Sequence, residues 1–291
     1  VLGACALVVI STDVPTDAEN HSDLRMIYQR IEAVAGSLAP EAVVVVLSQV
    51  PPGFTRRLAQ TLASAHPDRG LQVFYQVETL IFGAAVQRAL RPERCMVGCA
   101  DPQAELPAAY AEWLQRFSCP ILRMRYESAE LAKISINLFL ASSVCTTNMI
   151  AELCEAIRAD WAEIAPALRL DKRIGSHAYL SPGLGLSGGN LERDLETMRG
   201  LAHTYGTHGM VVDAWVANSR ARRDWVLKIL HAEVLSTIEA PRIAVWGLAY
   251  KPNTHSIKHS PALALLEQLR AFATQVYDPQ VRLEPGRFPL A

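Results

Sequence analysis

The sequence offers little that would mark a partner by charge. Its 28 Lys and Arg nearly balance 29 Asp and Glu, for a net charge of −1. Nothing in that balance points to nucleic acid, whose binders concentrate positive charge on one face. The densest basic cluster, Arg220, Arg222, Arg223 and Lys228, has helical spacing and reads as a solvated face. The six cysteines include no CxxC and no paired framework, which leaves out a disulfide scaffold and a zinc finger. Cys95 and Cys99, four apart, share one side of a strand-like segment, and Cys154 sits in the far half of a long helix; all three read as packing residues. No uninterrupted apolar run approaches the roughly 20 residues that span a bilayer, and no basic region with a cleavage site opens the chain. These absences indicate a cytoplasmic protein with no membrane partner. The chain begins at Val1, not at a methionine, and its first apolar run is already a buried-strand pattern.

What is present is a 291-residue chain, half of it apolar, long enough for two or three domains with real cores. It is organised around Tyr126 to Asp160, which contains neither Gly nor Pro. At 1.5 Å per residue an unbroken helix of this kind reaches roughly 50 Å, longer than one small domain. Its first half carries Ala129, Leu131, Ala132, Ile134, Ile136, Leu138, Phe139, Leu140, Ala141 and Val144, with no wide polar face, so protein should enclose it on most sides. Inside this run stand Lys133 and Asn137, one turn apart on the same face. A buried ammonium needs a reason, and beside an amide it can hold an oxygen-rich ligand. The plainer reading is a lysine reaching along its helix to water.

Upstream, short apolar strands at Ala6–Ile10, Val43–Leu47, Leu71–Tyr75, Arg94–Gly98 and Ile121–Met124 alternate with helices at Ser22–Ala35, Gly53–Ala65 and Gln103–Phe117. That alternation predicts a parallel sheet covered on both faces, with ligands at the strands' C-terminal ends. The loops Ser11–Asp17 and Ser48–Gly53 are the ones so placed. Downstream, a short helix at Trp161–Leu168, a glycine-rich stretch and helices at Leu191–Tyr205 and Val212–Leu235 lead into a second βα unit from Arg242 to Tyr277. The expected division is 1–124, a partial dinucleotide-binding domain; 125–221, a helical middle domain; and 222–291, a partial second Rossmann-like domain. The fold class is α/β, with two incomplete Rossmann-like domains joined by the long helix.

An ordered set of motifs then resembles one family. It comprises Val14-Pro15-Thr16, Ser48-Gln49-Val50-Pro51-Pro52-Gly53, Glu78 with Gly83, and Arg91-Pro92-Glu93-Arg94. Ala129-Glu130-Leu131 with Lys133 and Asn137, Asp171-Lys172-Arg173-Ile174-Gly175, Pro182-Gly183-Leu184-Gly185 and Gly247 to Thr254 with Ser260-Pro261 complete it. The chain resembles the UDP-glucose/GDP-mannose dehydrogenase family, NAD-dependent enzymes that oxidise a nucleotide sugar to a uronic acid. The resemblance implies NAD as cofactor, a nucleotide-diphosphate sugar as substrate and a homodimer through the long helix. It implies that Lys133 and Asn137 contact the hydroxyl being oxidised, with Glu78 positioning water or acting as base. Arg173, Tyr179, Gly185 and Lys251 would contact the substrate, with Arg173 reaching into a neighbouring subunit's site. Thr12, Val14, Pro15, Ser48 and Gln49, with Arg193 and Lys258 against the pyrophosphate, would contact NAD. At those last two places this sequence exchanges Lys for Arg and Arg for Lys, which changes hydrogen-bond geometry more than charge.

Two departures bear on the chemistry. Ser187-Gly188-Gly189-Asn190-Leu191-Glu192-Arg193-Asp194 puts Asn190 where the family has its nucleophilic cysteine. A thiolate at a helix N-terminus can trap an aldehyde as a thiohemiacetal and pass it on as a thioester; an amide cannot. Asn190 reads as a helix cap, worth about 1 kcal/mol over Ala. Asp194 remains, with a structural role if no thioester forms. The second departure is that the chain does not open with the strand and GxGxxG turn with which a complete family member would begin, so it reads as part of a longer protein. The implied activity is a nucleotide-sugar oxidation that stops after one hydride transfer. The alternatives are a nucleotide-sugar-binding protein without turnover and a hydroxyacid dehydrogenase with the same Lys and Asn spacing.

Overall fold

Four consecutive valines, Val43–Val46, form an interior strand of the first part of the molecule, and all four are buried. Side chains on a strand alternate between faces, so a strand apolar at every position needs cover on both sides. The computed structural model describes residues 2–17, 21–81 and 83–282 and divides the chain into two compact units, residues 1–136 and 137–291. In the first unit, strands β1 (Leu7–Ile10), β2 (Val43–Val46), β3 (Gln72–Gln76), β4 (Cys95–Cys99) and β5 (Ile121–Arg125) lie in that order in one sheet. One face, with Val46, Val73, Tyr75 and Met96, is covered by α1 (Arg25–Ala35) through Ile27 and Ile31 and by α2 (Phe54–Ala65) through Phe54, Leu58 and Leu62. The other, with Val43, Val45, Phe74 and Val97, meets Tyr110 and Leu114 of α4 (Ala108–Gln115). Cys95 and Cys99 share this second face as packing residues.

The sheet is not parallel throughout, as the sequence pattern had suggested. β4 runs antiparallel to β3, while the other neighbours are parallel. A parallel return needs a crossover, usually a helix laid across the sheet. The connection here carries only α3 (Ala85–Leu90), six residues that bury none of their side chains and that periodicity did not reveal.

Helix α5 (Tyr126–Ile157) starts in the first unit and continues into the second. It buries Ala129, Glu130 and Ile134 before the boundary and Asn137, Ala141 and Cys145 after it. By length and composition it is apolar enough to cross a membrane, which reading for uninterrupted runs missed. Its buried residues make it a core helix. The expected enclosure is incomplete, because Phe139 is 78 % exposed and Met149, Leu153 and Ile157 are also exposed.

In the second unit, α6 (Trp161–Leu170), α7 (Gly189–Tyr205) and α8 (Met210–Arg223) follow α5, and Leu186, Leu195 and Val212 pack on Ala141 and Cys145. The single helix expected over Val212–Leu235 is broken at Asp224 into α8, α9 (Trp225–Leu230) and a π-helical turn, His231–Leu235. β6 (Arg242–Trp246) and β7 (Ala273–Tyr277) are parallel and joined through α10 (Pro261–Gln268), with Leu248, Leu266 and Val276 as their core.

Candidate functional site

In the first unit the loops leaving β1 and β2 are tied together. The buried Ser48 hydroxyl donates to the Thr12 carbonyl at 2.6 Å, and Arg30 donates to the Thr12 hydroxyl. Val14 is buried beside them, Gln49 is half-buried, and Pro15 is exposed. Below this loop pair lies a residue for which the sequence reading had no role. Glu130 on α5 is fully buried, its Oε2 accepting from the Gly53 amide at 2.6 Å and its Oε1 from the Thr55 amide at 2.8 Å. Burial pushes its carboxyl above the usual range, while the amides of Thr55 and Gly53 pull the other way. Its signal was the one that drew attention to Lys133, a charge inside an apolar helical run.

The N-terminus of a helix after a strand is where a dinucleotide's pyrophosphate commonly rests. At α2 that position is filled by the Glu130 carboxylate, so these residues do not fit a pyrophosphate there. The other expected cofactor contacts, Thr12, Val14, Pro15, Ser48 and Gln49, lie on the loops after β1 and β2. Glu78 follows β3, with Oε1 accepting from the Thr79 amide at 2.8 Å. It stands close enough to Cys95 that, behind burial and the Cys119 thiol 3.6 Å away, its charge helps push the Cys95 thiol up to about 12. Lys133 is half-buried on α5.

In the second unit the buried Asn137 amide donates to Asp194 Oδ2 at 2.5 Å, tying α5 to the first turns of α7. Asn190 is not the cap expected of it. Gly188, at φ +81°, occupies the N-cap and turns the chain, so the helix begins at Gly189 and Asn190 is its second residue. Its Oδ1 accepts instead from Arg193 Nη2 at 3.2 Å. Arg193 is buried, with Nε 3.8 Å from Asp194 Oδ1. The Gly188 amide donates to the Lys258 carbonyl, and the Lys258 side chain runs over Gly189. Arg193 and Lys258 thus both lie against the first turn of α7.

A cavity of about 670 Å³ in this unit is walled by Gly183-Leu184-Gly185 on one side and by the Gly247–Thr254 loop on the other. Asn148 Oδ1 accepts from the Gly183 amide, Arg222 Nε donates to the Gly183 carbonyl, and the Ser219 hydroxyl accepts from the Leu186 amide. Opposite, Asp278 accepts from the amides of Leu248 and Ala249 with one oxygen and of Gln280 and Val281 with the other. Lys251 lines the cavity with its Nζ 5.5 Å from the Tyr250 ring, and burial lowers its pKa.

Of the expected substrate contacts, the cavity brings together Gly185 and Lys251. Arg173 lies outside it, exposed and paired with Asp171 at 2.6 Å, and Tyr179 is exposed, its carbonyl accepting from Thr147. The basic cluster expected to be a solvated face is only half so. Arg220 and Lys228 are exposed, but Arg222 is 6 % exposed with its guanidinium 4.8 Å over Trp225, and Arg223 lines the cavity. Arg222 and Arg223 both lie in the last turn of α8 and donate to the Gly183 and Leu186 carbonyls, partners that spacing along a helix does not show.

Residues 2–117, 127–220 and 244–288 match, in order, the NAD binding, central and UDP binding domains of the UDP-glucose/GDP-mannose dehydrogenase family. The chain belongs to this family. Among the family's members, the UDP-glucose 6-dehydrogenase of Rhizobium meliloti is 30 % identical over 286 residues, covering 96 % of this chain and 65 % of the relative. The UDP-glucose 6-dehydrogenase TuaD of Bacillus subtilis is 29 % identical over 280 residues, covering 95 % of this chain and 60 % of that protein. The structure of a UDP-glucose dehydrogenase from Pyrobaculum islandicum superposes with a TM-score of 0.85 at 26 % identity, over 96 % of this chain and 65 % of that one. This family member therefore spans about three fifths of the length of the curated relatives it matches. The first unit holds the family's NAD binding domain, and the cavity is built largely from its UDP binding domain, α/β architecture in both.

Proposed function

We propose that this protein oxidises a nucleotide-diphosphate sugar with NAD, as a UDP-glucose 6-dehydrogenase does, and that it stops after one hydride transfer. The observation that carries the reading is the buried Asn137–Asp194 hydrogen bond on a helix that also bears Lys133. With Nδ2 engaged by Asp194, Asn137 offers its Oδ1 to a sugar hydroxyl. The Lys133 ammonium, four residues earlier, stabilises the negative charge that grows on that oxygen while the hydroxyl proton passes to water. NAD, when bound, supplies the hydride acceptor. Thr12, Val14, Pro15, Ser48 and Gln49 hold it along the loops after β1 and β2, Arg193 and Lys258 offer it positive charge, and Glu78 orders water nearby. Lys251 and Gly185 take the nucleotide in the cavity, and Arg173 and Tyr179 serve the substrate from outside it.

Asn190 supplies no thiol, and the buried Cys145 and Cys154 offer no exposed replacement in the same unit. The aldehyde-level sugar is then the product, because no thioester can form. We further propose the division 1–124, 125–221 and 222–291, a cytoplasmic location and a homodimer through α5. The test is the ratio of NADH formed to UDP-glucose consumed. A ratio near one is expected, rising toward two with uronate formed in Asn190→Cys. Two from the natural protein refutes the single oxidation, and no NADH with UDP-glucose still bound means a binding protein.

A further inference from the structure

In the first unit the fold brings together two cysteines that stand 24 positions apart and that no sequence motif joins. Cys95 opens β4 and is buried; Cys119 stands just before β5, half-buried at the margin of the same core, and the two Sγ atoms are 3.6 Å apart. The backbone holds them there. The Cys95 amide donates to the Pro120 carbonyl at 2.9 Å, β4 and β5 run parallel from Cys95 beside Ile121 onward, and Ser118 at φ +50° turns the chain into Cys119. Cys99 and Cys145 differ, since each gives its thiol to a backbone carbonyl, of Met124 and of Trp215. Sulfurs already in contact close to the bonded separation of about 2 Å by side-chain rotation. The two thiols are also unlike in the way a two-step oxidation needs. Cys119 is the one open to solvent, whereas burial and the neighbouring thiol keep Cys95 protonated near neutrality.

We propose that Cys95 and Cys119 are a redox modification site, at which a hydroperoxide converts the two thiols into a reversible disulfide between the start of β4 and the turn before β5. Cys119 reacts first: its sulfur displaces hydroxide from the peroxide, an S–O bond forms as the O–O bond breaks, and the hydroxide leaves as water with the Cys119 proton. The Cys95 sulfur then attacks the sulfenic sulfur, an S–S bond forms as the S–O bond breaks, and the hydroxyl leaves as water with the Cys95 proton. Two thiols give up two electrons, and one hydrogen peroxide becomes two waters. In a reducing compartment such a bond is transient, and thiol exchange restores both cysteines. The proposal draws nothing from the nucleotide-sugar reading, because neither cysteine lines the cavity of the second unit.

Intact mass and peptide mapping of the reduced, folded protein before and after hydrogen peroxide test it. Wild type is expected to lose about 2 Da, the two thiol hydrogens, to yield a peptide linking Cys95 to Cys119 within one chain, and to regain both thiols with a thiol reductant. Cys119→Ser, a change at the outer partner, should form no such link. Cys95→Ser should instead hold a sulfenic acid on Cys119 that a cyclic diketone traps. If Cys95→Ser does not fold, the wild-type peptide map and Cys119→Ser carry the contrast without it. Oxidation of Cys119 to sulfinic acid with no link, a link between other cysteines or between two chains, or both thiols intact at a peroxide dose that oxidises free cysteine overturns the proposal.

Discussion

Gly185 shows how much a single backbone position decides in the cavity wall. Its φ is +82°, and a Cβ added there would stand 2.5 Å from the Ser219 carbonyl oxygen, backbone that cannot swing aside. Gly185→Ala is expected to lose about 2 to 4 kcal/mol, the sum of left-handed strain and overpacking, in chemical denaturation. UDP affinity should fall with it, because the Gly183–Gly185 loop is one side of the cavity. The sequence showed Gly185 as part of a motif without the reason for the glycine. That reason is a carbonyl 34 positions later, brought alongside only when α8 packs. Asn190 was misread for a similar cause. Asn favours helix caps in general, but here a glycine two residues earlier turns the chain first.

Two elements are held at their ends by carboxylates from elsewhere in their unit. Glu130 closes the N-terminus of α2 from α5, two buried amide contacts that no local cap replaces, since Gly53 has no side chain to offer. Glu130→Ala should cost roughly 1 to 3 kcal/mol, the penalty of stranding buried donors, and should loosen the Ser48–Gly53 loop. Hydrogen exchange at the Gly53 and Thr55 amides reads this directly, and unchanged protection there would refute it. Asp278 does the same for the Gly247–Lys251 loop. Burial alone would raise its carboxyl, but the amides of Leu248, Gln280, Val281 and Ala249 hold it below the usual carboxylate range. A group whose folded pKa is depressed stabilises the fold above its unfolded value and loses that contribution as pH falls through the folded one. The melting temperature is therefore expected to drop on acidification below about pH 4, and Asp278→Asn should be less stable near neutrality with a shallower acid slope. Parallel acid slopes for the two proteins would exclude the assignment. In both elements the strands and helices were readable from apolar runs and periodicity, whereas each clamp joins residues some 30 to 77 positions apart.

At the scale of the whole molecule, α5 keeps an apolar stripe in water. Phe139, Met149, Leu153 and Ile157 are all more than half exposed on a helix otherwise given to core packing. A second copy covering that stripe is the homodimer expected of it, and Phe139→Glu should then shift the protein from dimer to monomer in light scattering. A monomeric wild type at micromolar concentration would rule the dimer out. Sequence alone determined the α/β class, the central helix and the family, because apolar period and motif order are properties of neighbours along a chain. Only the tertiary structure decided that β4 reverses against β3, that Glu130 rather than a phosphate fills the start of α2, and that Arg222 and Arg223 turn inward instead of facing water. Each of those depends on which distant groups meet and satisfy one another's charge and hydrogen bonds once water is excluded, and spacing along the chain carries no record of that.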